Sequence, residues 1–353
     1  MLNAFRTLSH TRLTTHPRRT SDDRMRDIRL DFFRGVVIIF MLIDHIPGNL
    51  LGRLTLRNFG FSDAAEAFVL IAGISSAMSY ADRPGEFGRI CRRIGKIYVV
   101  QLGLLLASAL CILVGFLLSG RVALLKHDAL SPFLDNFWHS AGRAIMMDLQ
   151  PHYLDILPLY ICMLAWLPIV LRLAQWSCIG TLALALTIWL FANAYHLNIP
   201  GYRDGGWYFN PFAWQLLLSV GVVIGISRLR SAAGTAQKHS RPLLILACLY
   251  AFFSFLYVRP WAQFPLGVLK NVVVFNQDLV GPINKSYLSL WRLFHILCVA
   301  YIVNVVIPFD VAWIRKAQWA RQFVVIGRMP LTSFVVVSLF STIATISCDH
   351  FGN

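Results

Sequence analysis

Two ionisable residues, Arg34 and His45, stand 11 positions apart in the otherwise apolar stretch DFFRGVVIIFMLIDHIP, residues 31–47. On a helix that spacing puts them within about 20° of one face and about 16 Å apart along the axis. Burying either group in hydrocarbon is costly, so the face they share is expected to look into a protein interior or a polar passage. Imidazole titrates near neutrality, which suits His45 to take a proton from a hydroxyl or to carry an acyl group briefly. Guanidinium offers a rigid fork for phosphate, which suits Arg34 to a phosphorylated donor at the opposite end of the span.

Other residues fall into place around these two. Asp44 adjoins His45 but points about 100° away on a helix, as an orienting or structural group. Asp63 and Glu66 are three apart at the start of the next apolar segment and share a face. If the first two spans form an antiparallel hairpin, either carboxylate can hold the imidazole tautomer; the alternative is an interhelical clamp. Arg328 matches Arg34 as a second cation for donor phosphates, with snorkelling to the interface as the alternative. Arg292 and His295, three apart in a later span, can neutralise a carboxylate or a developing oxyanion near His45. A buried ion pair with Asp44, Asp63 or Glu66 would account for them equally well. His152, beside Asp155, is placed to contact an acceptor or to cap a helix at the interface. Trp207 heads the cluster Trp207, Tyr208, Phe209, Phe212 and Trp214, which can stack on sugars or form an aromatic belt.

The elements that must position these residues are membrane helices. The chain has 353 residues, 57% hydrophobic and 14% charged, where a soluble domain carries about 25% charge. Its net charge of +15 is confined to short runs between apolar segments, which argues for helix orientation rather than nucleic-acid binding. The seven cysteines lie mostly in apolar segments with no CxxC, so neither a metal site nor a disulfide framework is expected. No P-loop, dinucleotide fingerprint, GxSxG elbow or HExxH in a credible context is present.

Residues 1–30 read as a basic cytoplasmic leader and 347–353 as a short tail, with the membrane domain between them at 31–346. Nine spans are expected: 31–47, 61–80, 94–119, 154–171, 176–193, 209–227, 242–258, 287–308 and 322–346. The basic run 81–96 reads as a connection, 120–151 as a longer one containing an amphipathic surface helix, and 259–286 as a re-entrant or surface segment. Of the 32 Lys and Arg, 20 fall in the connections this arrangement puts inside and nine in those outside, which supports a cytoplasmic amino terminus. No internal repeat marks an inverted-repeat transporter.

Several stretches together resemble the OpgC family and, more distantly, the acyltransferase-3 group. They are RLDFFRG with DHIP (29–35, 44–47), GFSDAAEAFVLIAGISSAMSY (60–80), YLDILPLY (153–160), FNPFAWQLL (209–217), KSYLSLWRLFH (285–295) and GRMPLTSF (327–334). The resemblance implies an all-α, polytopic integral membrane bundle of about nine to ten transmembrane helices in the bacterial inner membrane. It also implies transfer of succinyl from cytoplasmic succinyl-CoA, or of acetyl from acetyl-CoA, to hydroxyls of a periplasmic glucan or other glycan. No tightly bound cofactor and no nucleic acid is implied. The roles it carries over are acyl-accepting or general-base residue for His45 and donor-side residue for Arg34. A transporter or flippase for a glycan, lipid or acyl-bearing substrate, with the same ionisable residues lining a path, is the rival reading.

Overall fold

Asp27 opens the first helix, α1 (Ile28–Asp44), by accepting a bond from the Arg29 backbone N–H at 3.1 Å. The same carboxylate pairs with Arg29 at 3.0 Å and Arg228 at 3.3 Å, and Arg29 reaches the carbonyl of Ile307 at 2.7 Å. One end of α1 is thereby tied to two later parts of the chain. The structure is a computed structural model that describes residues 27–46, 48–81, 85–151, 153–202, 206–230, 239–264, 271–276, 279–307 and 311–351, with side chains of the last helix as far as 347. Residues 1–26 of the expected leader, and 265–270 and 277–278 of the segment expected to be re-entrant, lie outside the described residues.

Regular structure among the described residues is entirely helical. After α1 come α2 (Ala64–Tyr80), α3 (Glu86–Ser119), the short α4 (Ser131–Asp135) and α5 (Phe137–Ile145), then α6 (Ile156–Trp176), α7 (Cys178–Ala194), α8 (Pro211–Arg230) and α9 (Arg241–Val258). The chain ends with α10 (Leu290–Val306), α11 (Ala312–Lys316), α12 (Gln318–Arg328) and α13 (Pro330–Phe351). Five of these, α3, α6, α8, α9 and α13, are long and apolar enough to cross a membrane, and α2, α7 and α10 are shorter apolar helices. The first expected span, α1, carries Arg29, Asp31, Arg34 and Asp44 within its 17 residues.

Large apolar side chains on α3 and α9, such as Leu106, Leu110, Leu117, Ile245, Leu249 and Phe252, face outward. A surface of that kind suits hydrocarbon rather than water. Polar contacts instead turn inward, where small residues let backbones meet. A β-carbon on Gly73 of α2 would lie 2.4 Å from the Leu218 carbonyl of α8, and one on Gly221 would lie 2.5 Å from that of Leu70. The crossing of α1 and α12 is closer still: a β-carbon on Gly327 would lie 1.8 Å from the Asp31 carbonyl oxygen.

Two of the boundaries that differ from those read in the sequence move cations. The basic run at 86–96 belongs to α3, which begins after Gly85 in a left-handed conformation and buries Ile90 and Ile97. Arg89, Arg92, Arg93 and Lys96 therefore stand on a rigid helix rather than in a loop. The expected span 322–346 is two helices, because Pro330 lacks the N–H that a continuous helix needs and disfavours helical geometry at Met329. Arg328 consequently ends α12 instead of sitting inside a spanning helix.

Candidate functional site

Arg34 lies nearly two turns into α1, and its guanidinium is buried. It donates to Asp31 at 3.4 Å, to the Gly327 carbonyl at 3.1 Å and to the Ser75 hydroxyl. Arg328 reaches the same Asp31 at 3.5 Å, so the structure brings the two arginines together across the close crossing of α1 and α12. They line a cavity of about 1070 Å³ bounded by α1, α2, α3, α6, α12 and α13. Arg89, Arg92, Arg93 and Lys96 line it too, giving six cations against the carboxylates of Asp27 and Asp31.

Within this set Arg93 is held by Tyr160, 3.2 Å from its hydroxyl, and Arg92 by the Gly88 carbonyl at 3.4 Å. The Arg89 guanidinium lies 5.7 Å from the centre of the Tyr80 ring, while its Nε and Nη2 are buried with no hydrogen-bond partner. Buried donors of that kind call for an acceptor. The inner wall of the cavity is apolar, with Phe68, Ile156, Leu157 and Phe334. On α1 the lining stops at Arg34, but Ile156 is three residues from Tyr153, whose ring meets His45.

His45 caps the far end of α1. Its Nδ1 faces the carbonyl of Met41, one turn back on its own helix. A carbonyl only accepts, so Nδ1 carries the hydrogen and Nε2 is left as the basic nitrogen. Asp44 is turned away, as the helical spacing requires: it accepts from the Thr55 hydroxyl at 2.5 Å and lies 3.8 Å from Arg57.

Asp63 and Glu66 are engaged elsewhere. Asp63 caps α2 through the Ala65 N–H at 2.8 Å, and Glu66 reaches back to the Asp63 N–H at 2.9 Å. The two carboxylates share Arg292, which lies 2.5 Å from Glu66 and 3.0 Å from Asp63. Lys285 completes the group, 2.6 Å from Asp63. Burial opposes the charge on Lys285, but Asp63 and Glu66 outweigh it and hold the ammonium above the ordinary lysine range. Indoles fix the segment that carries Lys285: Trp214 donates to the Lys285 carbonyl at 3.1 Å and Trp189 to that of Leu288 at 3.0 Å. The tautomer-holding contact expected from a carboxylate is thus made by the Met41 carbonyl, while Asp63 and Glu66 join α2 to α10.

His295 is buried and engaged with Ser62. Its Nδ1 accepts the Ser62 N–H at 3.2 Å and lies 2.7 Å from the Ser62 hydroxyl, with the ring packed over Gly60. Trp207 is only 5% exposed, so its ring is not presented for stacking, whereas Tyr208 next to it is half exposed and lies 5.8 Å from the Lys285 ammonium. His152 lies outside the described residues.

A family model described as OpgC protein matches residues 26–353. The chain belongs to the OpgC family. No curated protein and no solved structure matches it. In this OpgC family member the matched region contains every residue of both the cavity and the His45 environment.

Proposed function

We propose that this OpgC family member is a membrane O-acyltransferase. It moves a succinyl group from cytoplasmic succinyl-CoA to hydroxyls of periplasmic glucans across the bacterial inner membrane. The observation that carries the reading is the cavity of about 1070 Å³ with six cations around its basic part, set at one end of the helix whose other end bears His45. Arg34, Arg328 and the α3 cations Arg89, Arg92, Arg93 and Lys96 hold the phosphates of the donor, with Arg89 supplying donors that lack a partner. The apolar wall at Phe68, Ile156 and Leu157 receives the uncharged arm that leads to the thioester.

At the other end the Met41 carbonyl keeps His45 Nε2 basic. In direct transfer Nε2 takes the proton of the acceptor hydroxyl as its oxygen attacks the thioester carbonyl. The C–S bond then breaks and the imidazolium returns the proton to the departing thiolate. In the two-step route Nε2 itself attacks the carbonyl and the C–S bond breaks to release the thiolate; the acceptor oxygen then attacks the acyl-histidine, the C–N bond breaks, and the hydroxyl proton passes to the thiolate. Lys285, whose charge reaches His45, and Arg292, joined with it to Asp63 and Glu66, shape the acceptor side.

The test is transfer of labelled succinyl from succinyl-CoA to a periplasmic glucan fraction by purified protein and a folded His45→Ala variant. Label on the glucan with the unaltered protein alone is the expected result. Folded protein that transfers no label but translocates glucan or lipid would overturn the assignment in favour of transport.

A further inference from the structure

We infer that Tyr153 is a positioning residue for His45. The inference rests on the acyl-transfer reading of His45 and adds to it a group that nothing in the spacing of the ionisable residues indicates. Tyr153 precedes α6 in a tight turn, closed by the Leu154 N–H donating to the Pro151 carbonyl at 3.1 Å. Its φ is +77°, a left-handed conformation that crowds the β-carbon of any residue but glycine and is rare for a bulky side chain. Strained backbone of this kind persists only where the surroundings hold it.

Here they do, from three sides. From α3, Gln101 donates to the carbonyl of the next residue, Leu154, at 2.9 Å. The Tyr153 hydroxyl lies beside Thr345 of α13, itself anchored by the Ser341 carbonyl at 3.0 Å. Between those anchors the phenol ring stands against the imidazole of His45, with centroids 4.4 Å apart and planes at 87°.

That geometry supplies what His45 otherwise lacks. The Met41 carbonyl fixes the position and protonation of Nδ1, but one hydrogen bond leaves the ring free to rock about it. A perpendicular aromatic ring in van der Waals contact removes the rocking, and the direction of Nε2 is then set. A leucine at an ordinary φ would fill the same space without strain; the strained tyrosine, set between α3 and α13, aims a flat surface at the imidazole.

The experiment compares steady-state transfer from succinyl-CoA to the glucan fraction by the full-length protein and by Tyr153→Gly, Tyr153→Leu, Tyr153→Phe, Thr345→Val and His45→Ala. Glycine accepts the left-handed backbone, so Tyr153→Gly removes the ring without adding strain, and Tyr153→Leu repeats the removal with bulk retained. Misplacing a reacting group by about 1 Å costs on the order of 100-fold. We therefore expect kcat to fall roughly 10- to 100-fold in both variants, with donor KM and donor affinity within about twofold, and Tyr153→Phe to stay within about threefold of the unaltered protein. Unaltered kcat in Tyr153→Gly and Tyr153→Leu, with His45→Ala inactive, would overturn the positioning role and leave the acyl-transfer reading standing. Full activity in His45→Ala would remove that reading and the inference with it. Loss in Tyr153→Phe as deep as in Tyr153→Gly, with Thr345→Val active, would make the hydroxyl itself a reacting group and also overturn the inference.

Discussion

Arg292 of α10 and Glu66 of α2 form an ion pair 2.5 Å long inside the bundle, with Glu66 inaccessible to solvent. Removing one partner strands a buried charge, which costs about 3–5 kcal/mol, whereas replacing both with apolar groups is close to neutral. Arg292→Met is expected to lower the apparent melting temperature in detergent sharply. Combining it with Glu66→Met should recover most of the loss. A double variant as unstable as the single one would show that Asp63 and Lys285 depend on Arg292 more than Glu66 does.

The unpartnered nitrogens of Arg89 give the donor cavity a specific handle. A hydrogen bond to a charged group contributes about 1.5–3 kcal/mol, so Arg89→Ala should weaken succinyl-CoA binding by roughly 10- to 100-fold. The KM for the glucan should not move. Calorimetric titration of donor into the purified protein reads the first number, and initial rates at saturating donor read the second. Equal losses for donor and acceptor would remove Arg89 from the donor cavity.

Six cations around one cavity also predict salt sensitivity. The Debye length falls from about 10 Å at 0.1 M salt to about 3 Å at 1 M. Donor KM should rise steadily over that range while kcat holds. A flat KM would mean that the donor is held by contacts other than its phosphates.

Glycines separate close crossings from open surface. Gly327→Ala drives a β-carbon into the Asp31 carbonyl and should cost roughly 1–3 kcal/mol, the usual range for overpacking. It should weaken donor binding as well, because Arg34 hydrogen-bonds the Gly327 carbonyl. Gly103→Ala on α3, where nothing lies within 4 Å, should be neutral or stabilising by about 0.5–1 kcal/mol. Melting curves of the two variants test the contrast directly.

Much of the helical framework was legible because apolar length is written in the sequence. So was the meeting of Arg34 with Arg328, expected in the same third of their two spans, although the second span is two helices. The start of α3 was obscured by charge density: Arg89 to Lys96 looked like a loop, although Ile90 and Ile97, seven apart, mark the buried face of a helix. The capping role of Asp63 and Glu66 was available in the D-x-x-E pattern, a signature of a helix start. Pro330 likewise announced the break after Arg328. The Met41 carbonyl was not legible at all, since every residue has one and only the local geometry selects it. Nor was the cavity as a whole, whose other cations stand on the start of α3 that charge density obscured.

The segment of α1 from Arg34 to His45 is a measuring rod. Its 11 residues set the two α-carbons about 16 Å apart along the axis. On the proposed acyl-transfer reading, a donor gripped by its phosphates at one mark must present its reactive carbon at the other, so a shortened analogue would be held as firmly as the natural donor and still never be used.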